Sequence, residues 1–332
     1  MKPSRELPVL AIDLGGTKII AAIISPQYQL MAKEYHLTLA EQGPEVLIDR
    51  ILSAIDHILS ARNITLSQLH SISIAAAGAI DLEQGLITLS PNLPGWHDIP
   101  LRDIVSEKYK INTLLINDAN AAALGEHELG AGKGVSNLIL VTVGTGIGGG
   151  IIINGRLYAG VSGSAGEVGH MTIAVNGPRC SCGNIGCWEM LASGTAMARE
   201  AIRRISHGER SILTEMVKGK IENITAEKVE KAARRGDSLA LEVISQIATY
   251  LGVGMVNLVN IFNPEVIIVG GGVAKMGDLL LEPAWQVVSE RAFKLAAGAV
   301  RIVPAQLGED AGVLGAAVFA YSQSSQFTFI DS

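Results

Sequence analysis

The pattern of apolar and polar positions predicts strands alternating with helices from the first residues onward. Residues 9–12 form a short apolar run that stops at Asp13 and the pair Gly15-Gly16, and a second run covers 19–24. Two strands so close together place the glycines in a hairpin turn. Pro44 opens a helix in which Leu47, Ile51, Ile55 and Leu59 recur at helical spacing. Residues 71–77 and 113–116 read as buried strands ending at Gly78 and at Asn117-Asp118, and an alanine-rich helix covers 119–129.

The second half begins in the same way. A strand at 138–143 runs into the glycine-rich stretch 144–150, and 151–158 makes a hairpin around Asn154-Gly155. Helical patterns cover 195–205 and 239–262, with Pro264 closing the second. A strand at 266–269 ends at Gly270-Gly271-Gly272, and a last helix covers about 311–320. The polar stretch 207–235 reads as solvated helical surface. Strand, glycine turn and strand thus open both halves, a weak internal repeat that fits two α/β lobes with a ligand cleft between them.

Composition narrows this picture. A chain of 332 residues exceeds what one hydrophobic core usually supports. With 48% hydrophobic and 17% charged residues it is neither disordered nor collagen-like. Lys and Arg number 26 against 32 Asp and Glu, and the net charge of -6 argues against a nucleic-acid surface over the whole chain. No run approaches the roughly 18 uninterrupted apolar residues of a membrane helix. The N-terminus lacks the apolar core of a signal peptide, so a soluble cytoplasmic protein is expected.

Three segments carry candidate chemistry. In Asp13-Leu14-Gly15-Gly16-Thr17-Lys18, glycines let backbone N–H groups approach phosphate, Thr17 and Lys18 add donors, and Asp13 suits Mg²⁺ or its waters. An ordinary hairpin turn would read the same. Gly144, Gly146 and Gly149 satisfy G-x-G-x-x-G, but a β-branched run follows where a dinucleotide site needs a helix, so that reading fails. No Walker A match exists. Two glycine hairpins, one in each half, suit a triphosphate instead, and Gly271-Gly272 suits backbone contact with a nucleotide. Asp118 follows a strand and precedes a helix, a place for an N-cap or for a fixed base that accepts the proton of an attacking hydroxyl.

The third segment is the most specific. His170, Cys180, Cys182 and Cys187 form H-x9-C-x-C-x4-C, and all the cysteines of the chain fall in that window. Four such ligands suit tetrahedral Zn²⁺ with no open position, a structural ion. Glu167 and Glu189 flank the segment, so zinc would fix two carboxylates able to bond sugar hydroxyls.

Together these residues resemble the ROK family, the bacterial sugar kinases and sugar-responsive repressors of the hexokinase–actin ATPase superfamily. The matching segments are 13–18, 117–121, 144–150, 166–170, 180–189 and 269–272. The resemblance implies a two-lobed hexokinase/actin-like α/β fold of duplicated ribonuclease H-like domains with an interlobe cleft. Residues 1–120 and about 308–332 would form the small lobe, and 121–307 the large lobe with its zinc segment at 170–187. It implies ATP:hexose phosphotransfer with Mg²⁺, Asp118 as catalytic base, and a sugar held by Gly78, Asn92, Asn117, Asp118, Glu167, His170 and Glu189. ATP would meet Asp13, Gly15, Gly16, Thr17, Lys18, Gly144, Thr145, Gly146, Gly271 and Gly272. A homodimer or homotetramer is implied, without nucleic-acid or membrane partners. Residues 90–101 are similar to the glucose-phosphorylating (glucokinase) branch, which points to the 6-hydroxyl of glucose; N-acetylmannosamine, N-acetylglucosamine and fructose kinases share the catalytic residues. Only twelve residues precede Asp13, too few for the helix-turn-helix domain of a sugar-sensing repressor. An actin-like assembly ATPase would not need the zinc knot.

Overall fold

The computed structural model describes residues 6–90 and 93–323. The first part of the chain forms β1 (Val9–Leu14), β2 (Lys18–Ile24), β3 (Leu30–Leu37), α1 (Pro44–Arg62) and β4 (Ser71–Ala76). Three short strands follow, β5 (Ala79–Asp81), β6 (Leu86–Leu89) and β7 (His97–Ile99), then α2 (Leu101–Tyr109), β8 (Thr113–Asn117) and α3 (Asp118–Leu129). Next come β9 (Leu138–Val143), β10 (Ile147–Ile153), β11 (Arg156–Leu157), α4 (Glu189–Ala192), α5 (Gly194–Ser206), α6 (Leu213–Met216) and α7 (Ala226–Arg234). The chain ends with α8 (Ser238–Phe262), β12 (Val266–Gly270), α9 (Asp278–Arg291), α10 (Lys294–Ala299), β13 (Arg301–Pro304) and α11 (Ala311–Gln323).

Two compact units emerge. One comprises the described residues of Met1–Ser136, Gly150–Gly166 and Gln306–Ser332; the other comprises Asn137–Gly149 and Glu167–Ala305. The expected division after residue 120 therefore falls inside the first unit. The reason is close helix packing: a Cβ at Gly315 of α11 would strike the Ala121 carbonyl of α3, and one at Gly125 would press on the Ala311 carbonyl. Gly150 likewise packs on Ala119 and Ala123 of α3, which draws 150–166 into the same unit.

In the first unit the sheet order is β3-β2-β1-β4-β8, with β1, β4 and β8 parallel and the β1–β2–β3 meander antiparallel. Alternation along β1 sends Leu10, Ile12 and Leu14 into a core completed by Leu47, Ile51, Ile55 and Ile58 of α1. Asp13 points to the opposite face, where Gly312 of α11 lies so close that a Cβ would meet its carboxyl. Register aligns Leu14 with Ala76 and Ala76 with Asn117, so three strands end in one row. That row is where α/β sheets present ligand-binding loops.

A second five-stranded sheet has the order β11-β10-β9-β12-β13, the same succession as the first. Its β9, β12 and β13 are parallel and belong to the second unit. Gly270 pairs with Thr142, which brings the ends of β12 and β9 side by side. Helix α8 is long and apolar enough to cross a bilayer, but Val243, Ile247, Leu251, Met255 and Leu258 are buried within the unit. It serves as a core helix. Trp188 stacks so tightly on it that Gly254 has no room for a Cβ, and the indole N–H donates to the Tyr250 carbonyl at 2.9 Å.

Candidate active site

The predicted residues fall into two groups, one in each unit. In the first, Asn117 and not Asp118 caps α3: its Oδ1 accepts from the Asn120 backbone N–H at 3.0 Å. The Asn117 Nδ2 donates to the Gly78 carbonyl at 3.0 Å, fastening the end of β8 to the turn after β4. Gly78 holds a φ of 118°, and a Cβ there would collide with Ser90. Asp118 is thereby released from capping. Its Oδ1 accepts from the Ala119 N–H at 2.8 Å. Burial pushes its carboxyl above the usual carboxylate range, against the pull of the Ala119 and Asp118 backbone N–H groups and of Asn117. Asn92 lies outside the described residues.

Asp13 shares this environment. Burial, then the neighbouring Asp118, pushes its carboxyl up to about 7, opposed by Lys18. Two carboxyls close enough to repel each other are the donor chemistry that attracts a hard cation such as Mg²⁺. The turn itself is tight: the Gly15 N–H donates to the Lys18 carbonyl at 3.0 Å, and Thr38 braces it through Oγ1 to the Gly15 carbonyl at 2.8 Å. Thr17 is exposed, and Gly16 lies between these braced positions. Lys18 pairs with Glu309 at 2.8 Å, half-exposed on both sides. Such surface pairs contribute about 0–1 kcal/mol, so the ammonium can transfer to a phosphate.

Sequence reasoning missed Glu309, and it missed Glu126. The Glu126 carboxylate is wholly buried and accepts from the backbone N–H groups of Gln306 (2.9 Å), Leu307 (2.7 Å) and Ala131 (2.8 Å). It fastens the approach to α11 onto the end of α3. A lone glutamate in an alanine-rich helix gives no sign of this.

In the second unit the Gly144 N–H donates to the Gly146 carbonyl at 2.9 Å, and the Gly144 carbonyl accepts from Gly194 at the start of α5 at 2.8 Å. Thr195 Oγ1 donates to the Thr145 carbonyl at 2.8 Å. Gly271, at φ 87°, packs on the Val143 backbone, so that Gly271-Gly272 and 144–146 meet at one sheet end. This arrangement carries no charged side chain of its own.

Its carboxylate comes from Glu189. The Oε2 lies 3.5 Å from the Ile147 N–H, and a Cβ on Gly146 would strike it. The other oxygen, Oε1, accepts from the Cys180 thiol at 3.1 Å and stands 3.6 Å from His170 Nδ1. Glu167 is exposed and begins the short turn Val168–His170, its carbonyl accepting from the His170 N–H at 3.1 Å.

The four predicted zinc ligands converge, with ligand atoms all within 4.8 Å of one another. Cys182 and Cys187 sulfurs are 3.6 Å apart, and Cys180 Sγ lies 3.7 Å from His170 Nδ1. Zinc–sulfur bonds of about 2.3 Å give tetrahedral edges of roughly 3.8 Å, so the donors already stand at coordinating separations. Burial pushes the Cys180 thiol up to about 12, and the Glu189 carboxylate beside it adds to the rise. Gly186 and Gly177 permit the folding, since a Cβ at either would strike the Ala174 carbonyl or its neighbours. The residues fit the ion.

Comparison with known proteins agrees with this geometry. The ROK family model matches residues 9–323. A glucokinase of Halalkalibacterium halodurans is 40% identical over 92% of this chain and 92% of its own. A xylose repressor of Caldicellulosiruptor bescii is 35% identical over 96% of this chain but 79% of its own length. The crystal structure of a ROK family glucokinase from Streptomyces griseus, in complex with glucose and AMPPNP, superposes with a TM-score of 0.84 at 33% identity, covering 95% of this chain and 99% of that one. The fold is that of the actin-like ATPases, and the chain belongs to the ROK family.

Proposed function

We propose that the protein is an ATP-dependent hexose kinase that phosphorylates the 6-hydroxyl of glucose. The observation that carries the reading is Asp118: a carboxyl freed from capping by Asn117, desolvated and raised in pKa, in a chain 40% identical to a glucokinase. A raised pKa makes the carboxylate a stronger base for a sugar hydroxyl. Asp118 takes the hydroxyl proton as the sugar oxygen bonds to the γ-phosphorus of ATP, and the bond to ADP's bridging oxygen breaks. The transition state is loose, so holding the phosphates supplies more of the rate than the base does. The 15–18 and 144–146 backbones, with Lys18, fill that role, and Gly271-Gly272 receives the nucleoside.

Asp13 would hold Mg²⁺, directly or through water, neutralising phosphate charge. The sugar would be oriented by Asn92, Asn117, Glu167, His170 and Glu189, with Gly78 leaving room for it. A structural Zn²⁺ on His170, Cys180, Cys182 and Cys187 would supply fixed loop geometry and no chemistry at the reacting atoms. We further infer a cytoplasmic homodimer or homotetramer, and the net charge of -6 supports a protein without nucleic-acid partners.

A coupled ADP-release assay across glucose, mannose, fructose, N-acetylglucosamine and N-acetylmannosamine tests the reading. Glucose should give the highest kcat/KM. Another preferred hexose would overturn the substrate and leave the reaction standing. Sugar binding without sugar-dependent ADP release would overturn the enzyme and favour a sensor like the repressor relatives.

A further inference from the structure

We propose that Glu34, His36 and His57 form a second metal site, taking one Zn²⁺ in the first unit and independent of the cysteine knot. Alternation along β3 places Ala32, Glu34 and His36 on the face that meets α1, where Ala32 is already buried core. His57 comes down from α1 onto the same spot. Its Nδ1 lies 2.6 Å from Glu34 Oε2, and His36 Nε2 lies 3.5 Å from that oxygen. The two imidazoles stand edge to face at 5.8 Å, and the three ligand atoms all fall within 4.8 Å of one another.

The His36 nitrogen is shut off from solvent and makes no hydrogen bond. Buried ring nitrogens normally find a partner, and a metal ion is one. Zinc bonds of about 2.0–2.1 Å to nitrogen and oxygen need ligand separations of roughly 3.3 Å, which the Glu34–His36 pair already has. The shorter pair must widen, and the His57 side chain, 65% exposed, has room on its solvent side to do so. Two imidazoles and a carboxylate are a zinc donor set that leaves one position for water. Such an ion would staple edge strand β3 to α1. His36 pairs with Ile19 and Leu37 with Lys18, and Thr38 braces the 15–18 turn, so the staple would stand directly behind that turn.

The test compares the full-length wild type with His57→Ala and His36→Gln. Each protein is equilibrated with Zn²⁺, freed of loose ion by gel filtration, and analysed for metal. The variants should each carry one zinc fewer per chain than the wild type, whatever the knot holds. The ion that is lost should bind at least about a hundredfold more weakly, since removing a direct ligand exceeds the roughly 10–100-fold cost of an outer-shell change. With Co²⁺ in place of zinc, the thiolate-to-cobalt band of the knot should be unchanged in both variants. The metal-free melting temperature of His57→Ala should fall only slightly, since that side chain is largely exposed. Equal zinc content in all three proteins overturns the proposal, as does loss of the thiolate band together with the ion.

Discussion

The two glycine-rich turns are built in opposite ways. The Asp13–Lys18 turn carries its own charges, and nearby groups balance them: Glu309 pairs with Lys18, while Asp13 is raised to about 7 by burial and by Asp118. The 144–147 turn has no ionisable side chain and borrows Glu189, 42 positions on from Ile147, which the cysteine segment holds through Cys180. One turn answers to local chemistry, and the other answers to a cross-linked loop. Substitutions should therefore split: those at Asp13 and Asp118 act on turnover, and those that displace Glu189 act on hexose affinity.

The largest effect should come from Asp118→Asn. Loss of the base should lower kcat at least about a hundredfold, while glucose binding measured by calorimetry persists. Near-normal turnover would remove Asp118 from the chemistry and end the contrast at its first term. Next comes Cys182→Ala, which should lose the zinc of the knot on elemental analysis and raise hexose KM about 10–100-fold, with ATP KM changing less. An equal rise in both constants would show that the loop supports the two substrates alike.

A smaller and more local test uses two glycines of one turn. The Gly146→Ala methyl would strike the Glu189 carboxylate, whereas at Gly144 a Cβ meets open space. Gly146→Ala should raise hexose KM about tenfold, a cost near 1.4 kcal/mol for displacing one positioned carboxylate, with the hexose KM of Gly144→Ala much nearer wild type. If the two variants behave alike, Glu189 does not link the turn to the knot.

How much of this was legible in the sequence depended on range. The β1–β2 turn, the Asn154-Gly155 hairpin and α8 showed as local patterns, and Asn154 and Gly155 both have the positive φ that such a turn demands. The small β5–β6–β7 sheet was passed over because strands of three or four residues carry almost no periodicity. The knot was legible because its ligands lie within eighteen residues. Glu309 lies 291 positions from Lys18, and Glu126 binds backbone groups 180 positions away, so neither partnership leaves a local mark. The compact units divide at Ser136 rather than after residue 120 for a related reason. The small residues that let α3 and α11 touch look like any alanine-rich helix until both are seen together.

The smallest effect is the one Asp13→Asn should have on stability, which tests the first turn's electrostatics without a substrate. In the unfolded chain Asp13 loses its proton near 3.8, and in the folded chain near 7. Between those values the folded state holds the extra proton. The raised pKa therefore contributes stability that is fully present below about pH 4 and is lost as pH rises through about 7. Asparagine removes this dependence. Relative to wild type, Asp13→Asn should gain thermal stability between pH 5 and pH 8, by about 1–2 °C for each 1 kcal/mol of linkage. If the melting-temperature difference between variant and wild type stays flat across that range, Asp13 is ionised throughout. The first turn would then balance its charge through Lys18 and bound cations alone, and the two turns would differ only in where their carboxylates come from.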